Sequence, residues 1–255
     1  MSNATTTSGR FIWHELITPE PKATVGFYGE LLGWTSSEVD MGPMGKYTLF
    51  KSNGVDCAGA IAPPPGKNIP PSWLGYTTTP DVDAAAKKAA SLGGKIMMEP
   101  SDIPGIGRFA VFVDAQGAAL APFKPKEERA EQERPAIGTF CWDELLTSDP
   151  KAALAFYEGV FGYTHEDKDM GPMGTYHVLK RGERQAAGIM KHPMASAPTH
   201  WLHYVLVGDV DERTKRAAQL KGSVVVEPQD IPGIGRFSVV KDAQGAAFAL
   251  FKGSM

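Results

Sequence analysis

The chain has 255 residues and a formal charge of 26 − 29 = −3, with 42% hydrophobic and 22% charged residues, an ordinary balance for a globular protein. That near-neutral balance argues against nucleic acid as a partner, which needs a basic face to neutralise phosphates. No apolar run approaches the ~20 residues of a membrane helix and no signal-peptide pattern opens the chain, so no membrane partner is expected. Two cysteines, Cys57 and Cys141, make no disulfide framework, which points to a reduced, cytoplasmic setting. The 28 glycines and 20 prolines mean many turns.

Residues 1–10 are small and polar and read as a disordered leader, with Ser2-Asn3-Ala4 resembling a cloning remnant. Phe11–Thr18 is a strand-length apolar segment. Pro19–Leu32 carries apolar residues at helical spacing (Val25, Tyr28, Leu32) and is closed by Gly33. Trp34–Val39, Tyr47–Ser52 and Asp56–Ile61 are short strands between glycine turns. The pattern then restarts: Trp73–Thr79 as strand, Asp81–Leu92 as an Ala/Lys-rich helix stopped by Gly93-Gly94, and Lys95–Glu99, Arg108–Asp114 and Ala118–Phe123 as strands. Each half is a βαβββ unit.

The whole pattern occurs twice. Phe11-Ile-Trp13-His-Glu15-Leu returns as Phe140-Cys-Trp142-Asp-Glu144-Leu, an offset of 140 − 11 = 129. Met41-Gly-Pro-Met-Gly returns as Met170-Gly-Pro-Met-Gly. After Pro63–Pro65 the offset falls to 128, and Ile103-Pro-Gly-Ile-Gly-Arg-Phe109 and Asp114-Ala-Gln-Gly117 return as Ile231 to Phe237 and Asp242 to Gly245. A self-similar period of this length marks a tandem duplication. The copies span 11–124 and 137–252, and 125–136 between them is a charged, solvated linker with some helical character.

Four βαβββ units, Asp149-Pro-Lys-Ala-Ala-Leu-Ala-Phe-Tyr157 followed by Gly162, and Asp114-Ala-Gln-Gly117 before a last strand resemble the vicinal oxygen chelate superfamily: glyoxalase I, extradiol dioxygenases, and fosfomycin and bleomycin resistance proteins. Trp-x-Glu-Leu and Ile-Pro-Gly-Ile-Gly-Arg-Phe are similar to its two-repeat, hydroxylase-like branch. The resemblance implies an α+β fold in which the four units form two half-open glyoxalase-like barrels. It also implies, in metal-dependent members, a His, Gln or Glu on the first and last strands of the concave face. The last-strand glutamate falls at Ala121 and Ala249, four residues after Gly117 and Gly245. The opening-strand ligand maps to Trp13 or its neighbour His14, and to Trp142 or Asp143, and the second unit's ligand falls near Leu74 and Leu202. No metal ligand and no cofactor are therefore expected, and a displaced site for Fe, Zn, Ni or Mn is the alternative.

His200 and His203 lie three apart on a strand and point to opposite faces, so one ion cannot take both. They, with His177 and His192, read as surface or hydrogen-bonding histidines. Glu15 and Glu144 recur with tryptophan on the same strand face. A carboxylate in an apolar, aromatic-lined cavity is a candidate general base, against the plainer role of bonding an arginine or a backbone group. Trp13/Trp142, Tyr47/Tyr176, Trp73/Trp201 and Tyr76/Tyr204 are candidate ligand-lining residues, although aromatics on half-buried strands serve the core first. Arg108 and Arg236 follow glycine-rich loops that open a strand rather than a helix, so no phosphate cradle is expected. They read as partners of Asp102 and Asp230 or as anchors for a ligand carboxylate.

The expected function is a glyoxalase/bleomycin resistance/dioxygenase-like protein, monomer or homodimer, that binds a small organic molecule without the usual metal. One alternative is an enzyme (lyase, isomerase or oxygenase) using Glu15 or Glu144 as base or a displaced metal. Another is that one copy functions while the other is structural.

Overall fold

The structure is a computed structural model that describes residues 8–42, 45–128, 134–194 and 197–254. In the first copy the elements are β1 (Phe11–Ile17), α1 (Pro21–Leu32), β2 (Thr35–Asp40), β3 (Lys46–Ser52), β4 (Val55–Ile61), β5 (Ser72–Thr78), α2 (Val82–Ser91), β6 (Lys95–Ile103), β7 (Gly107–Val113) and β8 (Ala119–Pro125). The second copy repeats them as β9 (Phe140–Thr147), α3 (Pro150–Phe161), β10 (Thr164–Asp169), β11 (Thr175–Arg181), β12 (Arg184–Lys191), β13 (His200–Leu206), α4 (Val210–Gln219), β14 (Ser223–Ile231), β15 (Gly235–Lys241) and β16 (Ala247–Gly253). The fold is α+β, as its sequence pattern implies. Each copy forms an open eight-stranded mixed sheet, in the orders β2-β3-β4-β1-β5-β8-β7-β6 and β10-β11-β12-β9-β13-β16-β15-β14. Neither is a closed barrel.

Local chemistry explains the element ends. Asp149 caps α3 by accepting from Ala152 N–H, and α1 and α3 both stop at a glycine with φ of 73° (Gly33, Gly162), the left-handed C-cap that glycine adopts without penalty. The second Met-Gly-Pro-Met-Gly segment is a hairpin tip with a short 3-10 turn at Gly171–Met173. Part of the first falls at 43–44, outside the described residues, as do 1–7 of the expected leader and 129–133 of the linker. Ser8 to Arg10 are held in place: Gly9 N–H donates to Thr78 O at 2.8 Å and Ser8 Oγ to Phe161 O at 2.8 Å. Among the described residues no helix is long and apolar enough to cross a membrane.

The compact packing units cut across the two copies. Among the described residues, one unit draws on 14–74, 134–141 and 202–254, and the other on 8–13, 75–128 and 142–201. Thus the opening module of each copy packs with the closing module of the other. The first unit has a core of Leu16, Tyr28, Phe50, Trp73 and Phe248, and the second has a matched core of Phe112, Leu145, Tyr157, Leu179 and Trp201.

A buried phenol–carboxylate bond sits at the centre of each. Tyr28 Oη donates to Asp242 Oδ2 at 2.9 Å, and Tyr157 Oη to Asp114 Oδ2 at 2.9 Å. The other oxygen of each aspartate accepts backbone N–H groups of its own turn: Gln116 and Ala118 on Asp114, and Gln244, Gly245 and Ala246 on Asp242. The turn's glutamine then reaches the chain entering the helix. Gln244 Oε1 accepts from Thr18 Oγ1 at 2.7 Å, and Gln116 Oε1 accepts from Thr147 Oγ1 at 2.6 Å and from Asp149 N–H. Each Asp-Ala-Gln-Gly turn therefore fastens a helix belonging to the other copy.

Burial, reinforced by the neighbouring aspartate charge, holds the Tyr28 and Tyr157 phenols well above their usual value of 10. The folded state favours the neutral phenol, so this stabilisation is complete below pH ~10 and is lost as pH rises towards the folded-state pKa. Tyr157→Phe leaves Asp114 Oδ2 and Trp201 Nε1, which donates to Tyr157 Oη at 2.9 Å, without their partner. The expected cost is about 1–3 kcal/mol, read as a lower urea midpoint at pH 7. The double variant with Tyr28→Phe should lose less stability between pH 9 and 11 than wild type does.

Candidate functional site

Strand alternation divides β1 and β9 into two faces. Leu16 and Leu145 enter the helix-side cores, so Glu15 and Glu144, with Trp13 and Trp142 two residues earlier, face the other side. Pairing places Gly59 opposite Glu15 and Gly188 opposite Glu144. These glycines leave room for a ring. A Cβ on Gly188 would collide with the Tyr176 phenol, and one on Gly59 with the Tyr47 phenol.

In the unit that holds it complete, the arrangement is a chain of polar contacts. Trp142 Nε1 donates to Tyr176 Oη at 2.8 Å, and Tyr176 Oη donates to the buried Glu144 carboxylate. Burial first, and then the Glu144 charge, push the Tyr176 phenol well above its ordinary value, against a smaller lowering by Trp142. Tyr176 is therefore a neutral donor at neutral pH, and Glu144 is its acceptor. Such a pair can hold a hydrogen bond to a ligand oxygen or pass a proton to or from it.

The other residues singled out in the sequence are held by their own neighbours. Trp73 and Trp201 belong to the helix-side cores, edge-on to Tyr28 and Tyr157 with ring centroids 5.5 and 5.1 Å apart. Tyr76 stacks on Phe109 and meets Phe123, and Tyr204 lies against Phe237 and Phe251. Arg108 is clasped in a bidentate pair by Asp83 at 2.8 and 2.9 Å and by Asp102 at 3.0 Å. Arg236 is held likewise by Asp211 and Asp230. The aspartates expected from the sequence are present, and the helix residues Asp83 and Asp211 were not anticipated. These guanidiniums tie the start of α2 and α4 to the strands; the bonds they donate hold Asp83 and Asp211 below the usual carboxylate range.

At the last-strand and second-unit positions, where metal-dependent relatives of the resemblance carry ligands, the residues do not fit a divalent ion. Ala121 and Ala249 are buried and pair with Tyr76 and Tyr204, and Leu74 and Leu202 are buried on neighbouring strands. These side chains offer no imidazole and no carboxylate where oxygen or nitrogen donors are required. His14 is buried on the opposite face from Glu15, stacked on Phe140 with centroids 3.8 Å apart and edge-on to His203 at 4.8 Å. Cys57 and Cys141 are free thiols, and burial pushes the Cys57 thiol up to about 12, which makes it a poor nucleophile.

Two features escaped the sequence reading. Gly59 and Gly188 recur at the repeat offset, 188 − 59 = 129, a signal present in the chain but hidden among many turn glycines. His177 meets the Asp167 carboxylate, with His165 beside it. That cluster becomes visible only once the hairpin is centred on residue 172, which sets 167 and 177 opposite one another.

A fold of paired βαβββ modules bearing a polar, aromatic-flanked strand face is that of the glyoxalase and dioxygenase proteins, and the chain belongs to the Glyoxalase/Bleomycin resistance protein/Dioxygenase superfamily, whose family model matches residues 10–121 and 137–250. It is 39% identical over 244 residues to "Putative glyoxylase CFP32" of Mycobacterium tuberculosis, covering 94% of this chain and 93% of that protein. It is 33% identical over 252 residues to the anthracycline biosynthesis protein DnrV of Streptomyces peucetius, covering 93% and 91%. Among solved structures the fold matches the 2,3-dioxygenase LapB of Pseudomonas sp. KL28 with a TM-score of 0.64 at 14% identity, over 99% of this chain and 94% of that one. It also matches the Mn(II)-bound glyoxalase of Novosphingobium aromaticivorans with a TM-score of 0.62 at 16% identity, over 97% and 83%.

Gly188→Ala tests the close approach. The added methyl is expected to turn the Tyr176 ring away from Glu144 and Trp142 while the chain still folds. Tyrosine absorbance at 295 nm should then show one more phenol titrating near pH 10 than in wild type. An unchanged titration curve would mean that Tyr176 stays where it is.

Proposed function

We propose that the chain binds a small organic molecule on the Trp142–Tyr176–Glu144 face of the second copy and on its counterpart Tyr47 and Glu15 in the first, without a metal at the family positions. The observation that carries this reading is the Tyr176–Glu144 pair held over Gly188, with Tyr47 likewise over Gly59, the residue opposite Glu15, in a sheet whose last strand carries alanine where a ligand carboxylate would stand. Hydrogen-bonding groups set in an aromatic surround are what small-molecule sites use for orientation. The relative named for anthracycline biosynthesis makes an anthracycline the first probe, and free thiols suit the cytoplasmic setting.

Catalysis is the second reading, favoured by the hydrogen bond between a neutral phenol and a carboxylate. Glu144 would act as general base on the bound molecule and Tyr176 would donate to the oxygen that gains charge. Positioned proton transfer of this kind contributes about 10²–10⁴-fold in rate.

The test is ligand-induced stabilisation of the chelator-treated chain, followed by the combined variant Glu15→Gln and Glu144→Gln. A ligand at a hundredfold excess over its dissociation constant adds about 2.7 kcal/mol of stability. The expected outcome is a shift with wild type that shrinks in the double variant and does not depend on chelation. Under the catalytic reading the double variant also loses turnover by at least about 10²-fold. Binding that survives both substitutions unchanged would remove the site, and binding that vanishes with the chelator would remove its independence from metal.

A further inference from the structure

On the opposite face of the sheet from Tyr176, at its β10 edge, the second copy gathers two imidazoles and two carboxylates. Asp167 on β10 pairs in register with His177 on β11, and His177 Nδ1 lies 2.6 Å from Asp167 Oδ1. His165, two residues before Asp167 and so on the same face, points Nε2 at the same oxygen from 3.6 Å. Its other nitrogen, Nδ1, meets Glu158 of α3 at 2.5 Å. The ligand atoms of His165, Asp167 and His177 all lie within 4.8 Å of one another. His177 is buried, while His165 and Asp167 reach solvent.

Two features favour a cation over a plain hydrogen-bond network. A carboxylate behind a histidine, as Glu158 stands behind His165, is the usual device for fixing the tautomer and orientation of a metal-binding imidazole. Moreover, ligands about 2.1 Å from a tetrahedral ion stand roughly 3.4 Å apart, so the 3.6 Å separation already suits one. The 2.6 Å contact opens towards that value when the ion replaces the shared proton.

The first copy shows the same place built differently. At the offset of 129, His165, Asp167 and His177 correspond to Ser36, Glu38 and Thr48. There the carboxylate of Glu38 is neutralised by two lysines, Lys22 at 2.8 Å and Lys46 at 2.6 Å. In the second copy Lys22 is kept as Lys151, whereas Lys46 is answered by Thr175. One of the two ammoniums is thus replaced, and two imidazoles stand around the acid.

We propose that His165, Asp167 and His177, with Glu158 orienting His165, bind one divalent cation of borderline character, such as zinc or nickel. Two nitrogens and one oxygen are the donor set such ions take, with a remaining position open to water. The site lies on the other side of the sheet from Glu144, so it is independent of the small-molecule site.

The experiment is calorimetric titration of the untagged, chelator-treated full chain with zinc chloride, and of a parallel sample with cobalt(II) followed by visible absorbance. One zinc per chain is expected, together with the intense cobalt bands of a tetrahedral site. His165→Ser and His177→Thr, which install the first copy's own residues, should each abolish the stoichiometric uptake. Glu158→Gln should weaken it by about 10–100-fold. Circular dichroism checks folding; should the buried His177→Thr fail to fold, the solvent-reaching His165→Ser decides alone. Failure of wild type to take up zinc, or uptake by His165→Ser equal to that of wild type, would overturn the assignment.

Discussion

The structure depends on one buried contact made twice: a tyrosine hydroxyl donating to an aspartate whose other oxygen is saturated by its own turn. Tyr28 with Asp242 and Tyr157 with Asp114 are both buried away from water, where an unpaired carboxylate would cost several kcal/mol. The bond is therefore conditional. The turn is tolerable in the core because a helix from the other copy supplies the phenol, and that helix is positioned because the turn's glutamine accepts from the strand end leading into it. Trp73 and Trp201 pack edge-on against these same phenols, which explains why two large aromatics expected to line a ligand cavity serve the core instead.

This clasp also governs the strand faces. By committing Leu16 and Leu145 to the helix side, it turns Glu15 and Glu144 to the opposite side, where Gly59 and Gly188 leave space for a tyrosine ring. Duplication then allows divergence. On the face with the glutamates the two copies keep the same residues, Trp, Glu, Tyr and Gly. At the edge strand they differ: lysines neutralise Glu38 in one copy and histidines surround Asp167 in the other. Conservation within a single chain marks the first as shared chemistry, and asymmetry marks the second as an addition.

The sequence carried the architecture because its signals are local. Repeats, helical spacing in Val25, Tyr28 and Leu32, glycine stops at 33 and 162, and two-residue alternation in Trp13 and Glu15 all depend on neighbours within a few positions. The absence of ligand residues at Ala121 and Ala249 was legible for the same reason, since a fixed spacing from Gly117 and Gly245 locates them. The roles of Arg108 and Arg236 were half legible: Asp102 and Asp230 lie close along the chain, whereas Asp83 and Asp211 lie 25 residues away across a helix and a hairpin.

What the sequence determined by itself is therefore the α+β modules, their duplication, the family, and which residues share a strand face. Tertiary structure alone decided which module packs with which, because nothing in Asp-Ala-Gln-Gly says whether the phenol it needs comes from its own copy or the other. It alone decided that Tyr176 reaches Glu144 across Gly188, since that contact follows from β11 and β12 lying side by side. It alone brought His165 and His177 to one carboxylate. In each case the deciding quantity is a distance across strands or between elements, and such distances are set by packing rather than by spacing along the chain.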